Sequence, residues 1–226
     1  MTPNLLVPQH TDISIDAECQ NIMQWANLNK LTINVTKSKE IVFRRPRLRS
    51  VDIQPSFSDI VMVDEVKLLG IIFTSKLTFH KYVNDVLSVC NQRFYLLKLL
   101  RDQGMPLDAL DTVYHALVVN RIGYCLSAWG GFLITEDENR INVLFKRAKR
   151  YGFTDTIYNV VGLRENADQT LFKCIQVANH CLNSILPPVR SSLFESRSRG
   201  HDFCLPNCFT DAYRKSYLPR CLYSFI

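Results

Sequence analysis

The chain has 226 residues, 47% hydrophobic and 21% charged, which is enough apolar material for a real core and excludes a disordered chain. Its 27 Lys and Arg against 21 Asp and Glu give a formal charge of +6, a mild excess that permits nucleic-acid contact without requiring it. Eight cysteines scattered over this length are not the framework of a small disulfide-bonded domain, and no run approaches the roughly 18 apolar residues of a membrane span. The opening "MTPNLLVPQHTD" has neither the basic region nor the apolar core of a signal peptide, so the expectation is a soluble, intracellular, reduced protein.

In chain order, residues 12–30 carry Ile15, Cys19, Ile22, Met23 and Ala26 at helical spacing, with Thr11 or Asp12 as cap. Leu31, Ile33 and Val35 then alternate with polar neighbours and predict a strand over 31–35, followed by a second over 40–45. Lys37 and Lys39 flank Ser38 at the break, which aims two cations at a negative partner. The link "RRPRLRSVDIQPS" is basic and broken by proline. Residues 60–63 and 66–73 predict a further strand pair, with Asp64-Glu65 as a two-residue turn.

After Phe79 the period changes from 2 to 3.6. Val83, Leu87, Cys90, Phe94 and Leu97 form one helical stripe, closed by Gly104 and Pro106. Pro106 opens the next helix, with Leu110, Val113, Leu117 and Val118 as its inward candidates. That helix leads to Tyr124 and Trp129, both assigned to the core, and stops at Gly130-Gly131. A third helix is predicted over 136–151 and a fourth over 167–185, the latter stopped by Pro187-Pro188. The expected fold class is α+β: a small α+β piece over 1–79, a helical piece over 80–190 and an irregular tail over 191–226.

Several strings fall in a telling order. Asn34-Val35-Thr36-Lys37-Ser38-Lys39 precedes an apolar strand, and "VKLLGIIFTSKLTFHKYV" follows a hairpin. Then come "LDALDTVYHALVVNRIGYCLSAWG", "RINVLFKRAKR" and finally "TDAYRKSYLPR". Together, over about residues 9–220, they resemble the reverse transcriptases of non-LTR retrotransposons, jockey-like long interspersed elements in particular. The resemblance makes the first string the fourth palm motif and the second the fifth, the primer grip at Leu69 and Gly70. It makes the helical half a thumb and connection region. The last string matches the family's terminal Y-x-x-S-F-x-P-R pattern, with Tyr217 in place of Phe.

The same resemblance implies an RNA-directed DNA polymerase that uses Mg²⁺, held by an early palm aspartate and an aromatic-Ala-Asp-Asp turn. The sequence has no Asp-Asp pair. The expectation is a reading frame that opens just past the catalytic turn, binds no cofactor itself and is inert alone. By resemblance Lys37 lies near the triphosphate as candidate general acid. Its alternative is a solvated lysine at a turn.

Candidate phosphate contacts are Lys39, Arg44 and Arg45, with Arg47 and Arg49 in the same basic link, and Lys146, Arg147, Lys149 and Arg150 on the third helix, between Phe145 and Tyr151. The partner implied is an RNA–DNA or DNA duplex, bound without sequence preference. His201, Cys204, Cys208 and Cys221 have the residue types of a zinc site but not zinc-finger spacing, and are read as incidental. Three functional readings stand: a catalytically silent reverse-transcriptase fragment, a non-enzymatic nucleic-acid-binding remnant, and a relic without activity.

Overall fold

In the computed structural model, which describes residues 5–6, 15–43, 60–190 and 200–225, the first element is helix α1, Ile15–Leu28. Ala26 of its apolar stripe is buried, while Trp25 and Leu28 stay exposed. The caps considered at Thr11 and Asp12 lie outside the described residues. At the other end the helix closes on itself: Lys30 takes a left-handed φ of 57°, and Leu31 N–H reaches back to the Ala26 carbonyl at 2.8 Å. That closure removes the strand predicted over 31–35. Residues 31–34 have no regular structure, and Val35–Lys37 is a 3₁₀ turn.

Strand pairing also differs from the pattern read from the sequence. β1 (Lys39–Glu40) pairs in parallel with β2 (Val61–Met62), Lys39 opposite Val61. Residues 66–73 are not one strand. β3 (Glu65–Leu68) and β4 (Ile71–Thr74) form an antiparallel hairpin in which Leu68 faces Ile71, so the two-residue turn is Leu69-Gly70 and not Asp64-Glu65. Asp64 instead staples the open end, its carbonyl accepting from Ser75 N–H at 2.8 Å and its carboxylate from Ser75 Oγ at 3.1 Å.

The chain divides into two compact units, Met1–Lys76 and Leu77–Ile226, where the sequence pattern put a boundary near 79. Described residues are mixed helix and strand, mostly helix. In the second unit α2 (His80–Asp102) buries the whole predicted stripe, Val83, Leu87, Cys90, Phe94 and Leu97. Helix α3 (Leu107–Tyr114) begins after Pro106 and runs into a π turn, His115–Val119, before α4 (Asn120–Gly123). The extra residue of the π turn rotates the stripe. Tyr114, Val118, Val119 and Ile122 are buried with Leu110, whereas the expected Val113 and Leu117 are only half-buried.

Cys125, left-handed at φ 50°, turns the chain into α5 (Leu126–Trp129). Trp129 is fully buried, donates Nε1–H to the Tyr124 carbonyl at 2.9 Å and meets Tyr82 edge-on. The Tyr124 side chain, assigned to the core from sequence, is exposed. α6 (Thr135–Arg150) matches its prediction within a residue. α7 spans Val160–Ile175, seven residues ahead of the predicted 167, because Asn159 caps it by accepting from Val161 N–H at 2.8 Å.

The tail is irregular over residues 200–210, apart from an isolated bridge between Phe203 and Val189, but not beyond them. α8 (Asp211–Lys215) and α9 (Tyr217–Ser224) bring Cys221 and Leu222 against Phe172 and Ile175 of α7 in a second apolar cluster. Arg220 locks the arrangement. It donates to both oxygens of Asp168 at 2.8 and 2.9 Å, to the Ser127 carbonyl at 2.9 Å and to the Lys215 carbonyl at 2.5 Å.

Candidate nucleic-acid interface

Each expected contact follows from the element that carries it. In the first unit Asn34 organises the lysine turn. Its side-chain oxygen accepts from Lys37 N–H at 3.1 Å and from Thr36 Oγ at 2.7 Å, and its carbonyl accepts from Ser38 Oγ at 3.1 Å. The Asn-x-x-Lys-Ser spacing is thus a capped 3₁₀ turn whose cap holds Lys37 at its end. Lys37 and Lys39 are both exposed. Arg44, Arg45, Arg47 and Arg49 lie outside the described residues.

Leu69 and Gly70 have φ of 47° and 88°. Two successive positive angles in a two-residue loop make a type I′ hairpin turn. Gly70 is there because a side chain is strained at its φ. Leu69 has no such freedom and is 79% exposed.

In the second unit α6 is polarised, with Glu136, Asp137 and Glu138 in its first turn and Arg147, Lys149 and Arg150 in its last. Part of that pattern serves the helix dipole, worth about 0.3–1 kcal/mol per charge. The four predicted cations nevertheless separate into two kinds. Lys146, Lys149 and Arg150 are exposed, and among the described residues none of them forms an ion pair. Arg147 is half-buried against α2. Its Nη2 donates to Asn91, its guanidinium lies 4.9 Å from the Phe94 ring centroid, and its Nε is buried without a partner. It is a fixed cation, not a free one.

The seam between α2 and α6 supplies residues that periodicity alone did not single out. Arg140 bonds Asn84 at 2.5 Å and Arg147 bonds Asn91, so contacts repeat after seven residues on both helices, which therefore run parallel. Arg140 also meets the buried Asp137, as does His80 from the start of α2. At the far end, Lys98 Nζ sits 4.4 Å from the Tyr151 ring centroid and Arg150 lies 5.6 Å from the same ring. Arg101 donates to the Tyr151 carbonyl at 2.6 Å and pairs with Asp102 at 2.8 Å. The available signal was the spacing of Asn84, Asn91 and Lys98 on one helix and Arg140 and Arg147 on the other.

His201 is buried with both ring nitrogens engaged: Nε2–H donates to the Leu222 carbonyl at 2.8 Å, and Nδ1 accepts from Phe203 N–H at 3.2 Å. Burial pushes the Cys221 thiol up to about 12, away from the thiolate that zinc requires. Among the described residues no three His, Cys, Asp or Glu side chains are grouped to hold a metal ion. No described helix is long and apolar enough to cross a membrane. Comparison with protein-family models, curated proteins and solved structures finds no match to this chain.

Proposed function

We propose that the chain is the closing part of a non-LTR retrotransposon-type reverse transcriptase, the end of the palm followed by thumb and connection, and that its own role is to hold nucleic acid without catalysing transfer. What supports the family reading is the order of its strings and what two of them build. The Asn34-capped turn sets Lys37 beside a strand, and Leu69-Gly70 forms a hairpin turn. The observation that carries binding is the C-terminal turn of α6. Lys146, Lys149 and Arg150 remain exposed there without acidic partners among the described residues. No nucleotidyl transfer is assigned to these 226 residues, which contain no Asp-Asp pair to hold paired metals.

The test is a titration of labelled duplex at several salt concentrations. Each neutralised phosphate steepens the dependence of log K on log salt by roughly 0.9, so Lys146→Ala/Lys149→Ala should flatten the slope by somewhat under about two units. Affinity should fall in the non-specific range of roughly 1–100 µM. A slope near zero, or one unchanged in the double variant, would leave these lysines as a solvated helix face and end the reading. Primer extension with Mg²⁺ by the purified chain, abolished by a substitution within it, would overturn the non-catalytic part.

A further inference from the structure

The seam of α2 and α6 combines cations with aromatic rings in an unusual way. Asn91, Phe94, Tyr95 and Lys98 stand at i, i+3, i+4 and i+7 on α2 and so share one side of the helix. Asn91 and Phe94 hold Arg147, and Lys98 lies on Tyr151. Tyr95 therefore sits between two fixed points of contact with α6, about 10 Å apart along the helix. Yet Tyr95 is 64% exposed.

The cations around it are positioned without being neutralised. Arg147 is held by a neutral amide and a ring, and Lys98 and Arg150 by the ring of Tyr151. Among the described residues none of the three pairs with a carboxylate. Rings orient a cation while leaving its charge available to a phosphate. An exposed aromatic face amid such cations suits a polynucleotide whose bases are unstacked, because every base has a face to offer a ring. A duplex has already stacked its bases internally, so it gains from the cations alone.

We propose that this seam is a binding platform for single-stranded nucleic acid, with a base stacked on Tyr95 and the flanking phosphates on Arg147, Lys98 and Arg150. The proposal rests on the reading of α6 as a nucleic-acid surface and narrows its ligand. Selectivity for single strands follows from Tyr95, and affinity from the cations.

The experiment measures fluorescence anisotropy of end-labelled dT12, rU12 and a 12-base-pair DNA duplex with the full chain and with Tyr95→Ala, Tyr95→Leu and Tyr95→Phe. Stacking of one base predicts that both the Ala and Leu variants weaken single-strand binding by roughly 5- to 140-fold while Phe retains it. Duplex binding should not change in any of the three. The Leu variant keeps a long apolar side chain with good helix propensity, so a defect shared by Ala and Leu is a lost ring and not a lost helix. Equal loss for single strand and duplex, or no loss of single-strand binding, overturns the platform while leaving the basic surface standing. If neither ligand binds the unaltered chain, the surface itself is refuted and the platform with it. The dT12 and rU12 arms report whether the ligand is DNA, RNA or both.

Discussion

Arg220→Ala removes the hub of the C-terminal packing, and its cost follows from what it leaves behind. The guanidinium satisfies both oxygens of Asp168 and the carbonyls of Ser127 and Lys215. The two side chains are 14% and 5% exposed, so solvent replaces little of what is lost. Removing one partner of a buried pair strands the other charge, at roughly 3–5 kcal/mol. At about 2–4 °C per kcal/mol for a unit of this size, that is a fall of roughly 6–20 °C in melting temperature. Urea unfolding followed by tryptophan fluorescence reads it cleanly in a Trp25→Phe background, which leaves Trp129 as the sole tryptophan, buried in the same unit. Arg220→Met/Asp168→Leu should recover much of the loss, because the penalty is the unpaired charge and not the missing bridge. A loss under about 1 kcal/mol in Arg220→Ala, or a double variant as unstable as the single, would refute the hub.

Legibility in the sequence tracked how far each residue's partner lay along the chain. The α2 stripe was readable because one buried face repeats over four turns, and Pro106 marked the next start. The α3 stripe was misread at Leu117 because nothing in "HALVV" announces the π turn that rotates it. Alternation in "LTINV" was real, but the Lys30 closure and the Asn34 cap used the backbone that a strand would have needed. The tail looked irregular because its helices are short and stabilised by Phe172 and Asp168 on α7. In the site, Lys146, Lys149 and Arg150 were legible as an exposed basic turn. Arg147 was not, since the Asn91 that captures it lies 56 residues away. Tyr95 escaped notice for the same reason: its setting exists only once α2 and α6 lie side by side.

The remaining expectations concern strain, close packing and buried thiols. Leu69→Asn should stabilise the hairpin by about 1 kcal/mol, since left-handed φ costs an ordinary side chain roughly that much and Asn-Gly suits a type I′ turn; unchanged amide exchange across β3 and β4 would contradict it. Gly131→Ala should destabilise the second unit, because a Cβ there would collide with the Lys215 carbonyl and the Arg220 guanidinium, and an unaltered melting temperature would refute that packing. Burial pushes the Cys90 thiol up to about 11 and the Cys221 thiol up to about 12, from an ordinary value of 9.0. Unfolding releases both to ionise near 9, so above that pH the unfolded chain binds fewer protons than the folded one. The stability this contributes is complete below about pH 9 and is lost as pH rises through the folded values, at about 1.4 kcal/mol per pH unit for each thiol. Tyr114, also raised by burial, adds to the same limb at higher pH. Urea midpoints should therefore fall steeply between about pH 9 and 10.5, and Cys90→Ala/Cys221→Ala should flatten that fall even though it lowers stability at neutral pH. An equally steep fall in the double variant would mean that these thiols ionise as readily in the folded protein as in the unfolded chain, and that the two cores admit water at α2 and α9.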